Sequence, residues 1–223
     1  MTLCAIFDMD GVIIDSEPVH MVCEREIFEL LGITVTKDQH HAFSGTNDKE
    51  MWTKISDEFK LSLNVQDIIS LKRSKYMELL KKDAQIEAIA GVRELIAELH
   101  SRGFSIVLAS ASPRPQIDFI LSHFNLDTYF HARISGDDVA VGKPNPEIFL
   151  KAADLAHCSP GYCVVIEDSY NGVMAAKSAG MKCIGFINPN SGQQNLDHAD
   201  IKVSSFSQLS VLLIEGLFTK PKL

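Results

Sequence analysis

Two carboxylates stand two residues apart where an apolar run stops. In "CAIFDMDGVIIDSEP" (Cys4 to Pro18), strand-like residues ending at Phe7 run into Asp8, Met9, Asp10 and Gly11. Residues two apart in extended backbone project to one side, so Asp8 and Asp10 can converge on a single point, a place to hold something positive. Three further segments end or turn on complementary chemistry. "SIVLASAS" closes on Ser110, Ala111 and Ser112, which bring small side chains, hydroxyls and backbone amides. "CVVIEDS" closes on Glu167 and Asp168, and "VGKPNPEIF" sets Lys143 in a loop kept extended by Pro144. Taken singly, each has an ordinary reading: a helix cap, an acidic turn, a loop. What is specific is their arrival in this order at predicted strand C-termini, the edge where open parallel sheets bind ligands.

The charges then select a chemistry. Asp8, Asp10, Glu167 and Asp168 repel one another strongly, and Lys143 alone returns little of that charge. A divalent cation, or protonation of some of the groups, relieves the site. All-oxygen ligands suit Mg2+, and with Asp10 also protonated the cluster comes to neutrality. An arriving phosphate would need further donors, which Ser110, its neighbouring amides and Lys143 supply. Metal, lysine, donors and a positioned nucleophile are the parts of phosphoryl transfer. Two other phosphate machines find no support. Asp137 stands where a Walker loop's first glycine should be and Pro144 follows Lys143, and no GxGxxG follows a strand.

The elements that must position these groups are legible as short apolar runs: Leu3–Phe7, Ser105–Ala109, Cys163–Ile166, Cys183–Ile187 and, fainter, Ile201–Val203. Helical patterns lie between them. In "GVRELIAELHSRG", Val92, Leu95, Ile96 and Leu99 fall at i, i+3, i+4 and i+7 before Gly103. "PEIFLKAADLA" opens on Pro146, and "SYNGVMAAKSAG" runs from a capping Ser169 to Gly180. Strands alternating with such helices predict an α/β fold, a parallel sheet flanked by helices.

One spacing departs from this rhythm. About a hundred residues separate the first two strands, where a βαβ crossover needs roughly thirty. The excess reads as helix throughout: one helix begins at Ser16 and Pro18 and closes at Gly32, and others lie in "KEMWTKISDEF" and "NVQDIISLKRSKYMELLKKD". The expectation is a catalytic α/β core of residues 1–15 and 89–223 with an α-helical insertion, 16–88, placed as a lid. The alternative is a second domain with no part in the site.

Composition bounds the partners. The 223 residues carry a net charge of −8 and no basic patch, which argues against nucleic acid or an anionic membrane. A small phosphorylated ligand is compatible, since a metal ion and a lysine reverse the field locally. No apolar window reaches the ~18 residues of a membrane span, and Asp8 interrupts the N-terminal apolar run, against a signal peptide. Cys4, Cys23, Cys158, Cys163 and Cys183 are scattered and odd in number, as expected of buried thiols in a reduced, cytoplasmic protein, with a monomer expected. The histidine pair His40-His41 reads as polar helix surface.

"FDMDGV", "LASAS", "GKPNPEIF" and "IEDSYNG" resemble, in order, the four motifs of the haloacid dehalogenase superfamily. The insertion resembles that superfamily's small α-helical cap, and "DMDGVIIDSEP" and "LASASP" look closest to its branch of β-phosphoglucomutases and sugar-phosphate phosphatases. The resemblance implies a Rossmann-like core and a role for each matching residue. Asp8 would attack phosphorus and form an aspartyl-phosphate. Asp10 would protonate the leaving alkoxide and then take a proton from water. An ordinary carboxyl near pKa ~4 is protonated about once in a thousand at pH 7, so the role requires Asp10 to be raised. Gly11, Ser110, Ala111 and Lys143 would hold the phosphoryl group. Asp8, Asp168, the Asp10 carbonyl and Glu167, directly or through water, would bind Mg2+. True dehalogenases lack an acid at the second Asp, so the resemblance favours phosphate over carbon–halogen chemistry.

Within the branch, β-phosphoglucomutases carry Gly-x-x-Arg in the cap, whose arginine grips a second phosphate. Here Gly45, in "FSGTNDKEMW", is followed by Asn47 and then by Asp48 in the arginine's place. An acid there argues against holding a bisphosphate, although Lys49 or Lys72 could substitute and His20 stands where mutases have a histidine. The resemblance thus implies a phosphatase, with a mutase as the alternative and a non-catalytic binding protein as the more distant one. Trp52 is read as core, with packing on a sugar as its other reading. Ala90 stands where relatives often have Pro, which bears on the hinge.

Overall fold

The computed structural model describes residues 2–36, 39, 48–82 and 86–219, with the Glu50 side chain left out. Strand β1 (Cys4–Phe7) is buried at every position, as a continuous apolar run at the centre of a parallel sheet should be. It pairs in parallel with β2 (Ser105–Ala109) on one side and β4 (Cys163–Glu167) on the other. β5 (Lys182–Phe186) and β6 (Ile201–Val203) extend the β4 side, and β3 (Ala132–Ile134) the β2 side, giving the order β3-β2-β1-β4-β5-β6.

The strand β3 was not among the expected elements. It is three residues long, sits at an edge and carries Arg133 at its middle, so it shows neither an apolar run nor an alternation. Arg133 is held by Asp118 and Asp127, at 2.7 Å each, a charged edge that discourages pairing with another chain. At β5 the expected strand reached Ile187, but the observed one ends at Phe186 and Ile187 is exposed.

Four helices alternate with these strands: α4 (Val92–Ser101), α5 (Arg114–His123), α6 (Glu147–Leu155) and α7 (Tyr170–Ser178). On α4 the buried residues are Val92, Leu95, Ile96 and Leu99, the stripe its periodicity predicts. One face of the sheet, with Cys4, Ile6, Val107, Cys163 and Val165, packs on Ile148 and Phe149 of α6 and Val173 and Ala176 of α7. Each such large aliphatic side chain contributes roughly 1.5–3 kcal/mol through burial, which fixes the strand ends against rigid layers. A final helix, α8, spans Val211–Gly216.

The chain divides into two compact units, Met1–Asp15 with Glu87–Leu223, and Ser16–Ile86. The second unit contains α1 (Glu17–Leu30), α2 (Asp48–Glu58) and α3 (Val65–Lys82). Its core holds Ile27, Phe28, Trp52, Ile55, Tyr76 and Leu80, with Phe28 and Trp52 ring centres 5.6 Å apart. Among the described residues, no helix is long and apolar enough to cross a membrane.

Candidate active site

Register carries the chemistry to one edge. Phe7 pairs with Leu108 and with Ile166, so the next residues, Asp8, Ala109 and Glu167, lie level at the C-terminal ends of the three central strands. The Asp8 amide donates to the Ile166 carbonyl (3.0 Å) and the Ser110 amide to that of Ile134 (3.1 Å), continuing the ladders into the site.

Lys143 is the hub. Its Nζ lies 3.0 Å from Asp8 Oδ1 and 2.7 Å from Glu167 Oε1, and it sits 5.0 Å above the Phe149 ring. Burial on its own pulls the ammonium down, but Asp8 and Glu167 more than offset it and hold its pKa above the ordinary lysine value. The peptide bond between Lys143 and Pro144 is cis. Glu167 is fully engaged. Its Oε2 accepts from the Ser169 amide (2.7 Å) and hydroxyl (2.9 Å) while Oε1 takes the lysine. The Ser169 hydroxyl in turn accepts from the Gly172 amide at 3.0 Å, capping α7 as its sequence predicts.

Asp10 is approached by two hydroxyls. Ser112 Oγ donates to its Oδ2 at 2.7 Å and Ser110 Oγ, more weakly, at 3.4 Å, while the Ser112 amide donates to Ser110 Oγ at 3.0 Å. The amides expected to serve a phosphate beside Ser110 are therefore partly committed. Of those at 110–112, only the Ala111 amide has no partner among the described residues. Gly11 has φ +74, and a Cβ there would collide with the Asp168 carboxylate, so this turn admits only glycine.

Whether these residues fit a cation is a question of their donors and burial. Asp8, Glu167 and Asp168 are all buried and each offers a carboxylate oxygen, the three lying within 4.8 Å of one another. Burial, aided by Glu167 and Asp10 and opposed by Lys143, pushes the Asp8 carboxyl up to about 8. Burial also drives Asp168 well above its ordinary value, with Glu167 and Asp8 adding to it. Asp8 Oδ1 makes no aligned hydrogen bond. Hard oxygen donors whose summed charge a single lysine only partly offsets are the set that suits Mg2+.

The remaining expected residues belong to the second unit. Lys72 is buried between Glu24 (2.6 Å) and Asp48 (2.5 Å), His20 stacks on Tyr76 with ring centres 4.2 Å apart, and Lys49 is exposed. Trp52 is completely buried, so its core reading is the one the structure shows. Gly45 and Asn47, like the pair His40-His41, lie outside the described residues. Sequence reasoning passed over Ser169 as a ligand of Glu167, and Ser112 as a partner of Asp10. It also missed the loop after β5, where Ser191 Oγ donates to Asp168 Oδ2 and Asn188 Nδ2 to the Gly11 carbonyl at 3.1 Å. The polar run "NPNSG" at a fifth strand end was the available signal.

Comparison with known proteins decides the family. The haloacid dehalogenase-like hydrolase family profile matches residues 5–186. The chain belongs to this family. It is 33% identical over 183 residues to a phosphorylated carbohydrates phosphatase of Thermotoga maritima, covering 80% of this chain and 82% of that one. It is 32% identical over 215 residues to the β-phosphoglucomutase of Bacillus subtilis, covering 94% and 92%. Among solved structures, CbbY from Rhodobacter sphaeroides in complex with phosphate superposes with a TM-score of 0.85 at 26% identity, covering 94% of this chain and 97% of that one. A mutant of CbbY has also been solved with xylulose-(1,5)bisphosphate. The chain is thus an enzyme of the haloacid dehalogenase-like hydrolase family, built on a Rossmann-like core.

Proposed function

We propose that this enzyme is a Mg2+-dependent phosphohydrolase of small phosphomonoesters, sugar phosphates in particular, that works through an aspartyl-phosphate on Asp8. The observation that carries the reading is the cluster at the sheet edge: Asp8 and Glu167 gripped by one buried lysine, with Asp10 held by Ser112. Relatives named for phosphorylated carbohydrates support the substrate class.

In this reading ionised Asp8 attacks phosphorus, the P–O bond to the sugar breaks, and the proton on Asp10 goes to the departing alkoxide. Asp10 then takes a proton from water as that water attacks the acyl phosphate, returning Asp8 and releasing inorganic phosphate. Lys143, the Ser110 hydroxyl and the Ala111 amide neutralise the phosphoryl oxygens, and Gly11 leaves room for the Asp168 carboxylate. Asp8, Asp168 and the Asp10 carbonyl would hold Mg2+. Glu167, its oxygens already engaged by Lys143 and Ser169, would serve it through water. When bound, the cation offsets carboxylate and phosphate charge.

The second unit, residues 16–88 in the sequence reading, is proposed as the cap that selects the leaving group, with His20, Lys49 and Lys72 as its candidates. A mutase must grip a second phosphate, yet Lys72 is enclosed by two carboxylates and the trio is net negative. That favours hydrolysis.

The test is Mg2+-dependent phosphate release from a panel of sugar and polyol phosphates. The wild type should turn over at least one, EDTA should abolish release, and Asp8→Asn and Asp10→Asn should each lower kcat by at least ~10³. A wild type inert on the whole panel, or an Asp8→Asn variant still active, sinks the proposal. Conversion of β-glucose 1-phosphate to glucose 6-phosphate only with a bisphosphate primer would replace it with the mutase.

A further inference from the structure

The loop after β5 is tied to the site at several points, and the proposed reaction gives the loop's own residues no role. Ser191, half-buried, donates its hydroxyl to Asp168 Oδ2. The Ser191 amide donates to the Asn188 carbonyl at 3.2 Å. Asn188 is buried, and its side-chain amide reaches the Gly11 carbonyl at 3.1 Å and Asp15 Oδ1 at 3.5 Å. Asn190 closes the bracket, its amide on Asn188 Oδ1 (2.8 Å) and its side chain on Asp15 Oδ2 (2.5 Å). The far end is pinned by Gln194, whose side chain donates to the Ser191 carbonyl (3.0 Å) and accepts from the Tyr170 amide at the start of α7 (3.0 Å).

The bonds of the Ser191 amide and carbonyl, to Asn188 and Gln194, leave its hydroxyl little freedom. Asp168 lies directly beyond Gly11, where the absent side chain makes room for it, and a Cβ on Gly11 would come within 3.0 Å of Ser191 Oγ. One oxygen of Asp168 is thereby fixed by a hydroxyl donor and the carboxylate plane is set. A ligand carboxylate held by a hydrogen bond presents its other oxygen in one orientation, and loss of such a bond typically weakens metal binding 10–100-fold.

We propose that Ser191 is a positioning residue for divalent-cation binding, orienting Asp168 through its hydroxyl. The assignment rests on the cation reading given under Proposed function, and the experiment separates the two. Mg2+ is titrated into substrate-free enzyme by calorimetry for the wild type, Ser191→Ala, Ser191→Thr, Asn190→Ala and Asp168→Asn, and phosphate release is measured against Mg2+ concentration.

Ser191→Ala should bind Mg2+ about 10–100-fold more weakly, with its rate deficit closing as Mg2+ is raised. Ser191→Thr keeps the hydroxyl and should stay within about threefold of the wild type, while Asp168→Asn should lose binding. Asn190→Ala, in the same loop as Ser191, removes a bond to Asp15 and none to Asp168, so its Mg2+ affinity should be that of the wild type. Wild-type affinity in Ser191→Ala while Asp168→Asn loses binding overturns the role of Ser191 alone. Equal losses in Asn190→Ala and Ser191→Ala assign the effect to loop order and also overturn it. A wild type with no measurable Mg2+ binding removes the underlying cation reading. Should Ser191→Ala fail to fold, a Ser191→Thr variant weakened tenfold or more would overturn the assignment in its place.

Discussion

Asp8 is held where its charged form is disfavoured. Its carboxyl, raised by burial to about 8, stands against an unfolded-state value near ~3.9. Such a group contributes stability that is complete below the unfolded value and is lost as pH rises through the folded one. Between about pH 4 and pH 8 the metal-free enzyme should lose up to ~1.4 kcal/mol per pH unit from this carboxyl. Asp8→Asn mimics the neutral form and removes that slope. The variant should therefore melt with the wild type near pH 4 and above it at pH 8 in EDTA, by at least ~2–4 °C if ~1 kcal/mol survives relaxation. A Tm below the wild type's at pH 8 would show that Lys143 needs the Asp8 charge more than the fold suffers from it. Residues that an apolar strand delivers to its end, such as Asp8, Glu167 and Asp168, were legible because a carboxylate after such a run is conspicuous. Ser191 and Asn188 were not, because hydroxyls and amides in a turn-like loop look the same whether they bond to water or to Gly11, 177 positions away from Asn188.

At the scale of elements, α7 shows how a helix N-terminus serves the site. Ser169 caps it and at the same time feeds two donors to Glu167, which keeps that carboxylate aimed at Lys143. Gly172, in its first turn, lies against the Glu167 carboxylate, where an added Cβ would overlap it. Glycine inside a helix ordinarily costs about 0.5–1 kcal/mol relative to alanine, so Gly172→Ala would help if space allowed. The collision wins: overpacking costs roughly 1–3 kcal/mol, and displacing Glu167 also loosens the lysine. Gly172→Ala should lower the urea midpoint and reduce kcat; a raised midpoint would show that Glu167 moves aside freely. The cap was readable from the sequence, as was the α4 stripe. The edge strand β3 was not, since its three residues owe their extended form to pairing with Val107–Ala109 rather than to a pattern of their own.

For the whole molecule, the insertion follows from one anomalous spacing, while its interior does not follow from residue types. Nothing in "KRSKY" says that Lys72 is buried between Glu24 and Asp48, because those partners come from two other helices of the second unit. Burial pulls the Lys72 ammonium down, but the two carboxylates more than offset it, and its pKa stands above the ordinary lysine value. Glu24 and Lys72 side chains are 8% and 10% exposed, whereas Asp48 is 33% exposed. Lys72→Met therefore strands one buried carboxylate and one that can turn to water. Removing one partner of a buried pair costs about 3–5 kcal/mol, and the wetter Asp48 places the expectation at the low end. Because the chain divides into two compact units, the loss should be local. Native-state hydrogen exchange should show protection falling about 100-fold in α1, α2 and α3, the equivalent of ~3 kcal/mol, with the amides of β1, β2 and β4 unchanged. Adding Glu24→Leu removes the stranded charge and should restore most of that protection, since apolar replacement of a buried pair is often neutral. If the sheet amides lost protection in step with the helices, the two units would unfold as one.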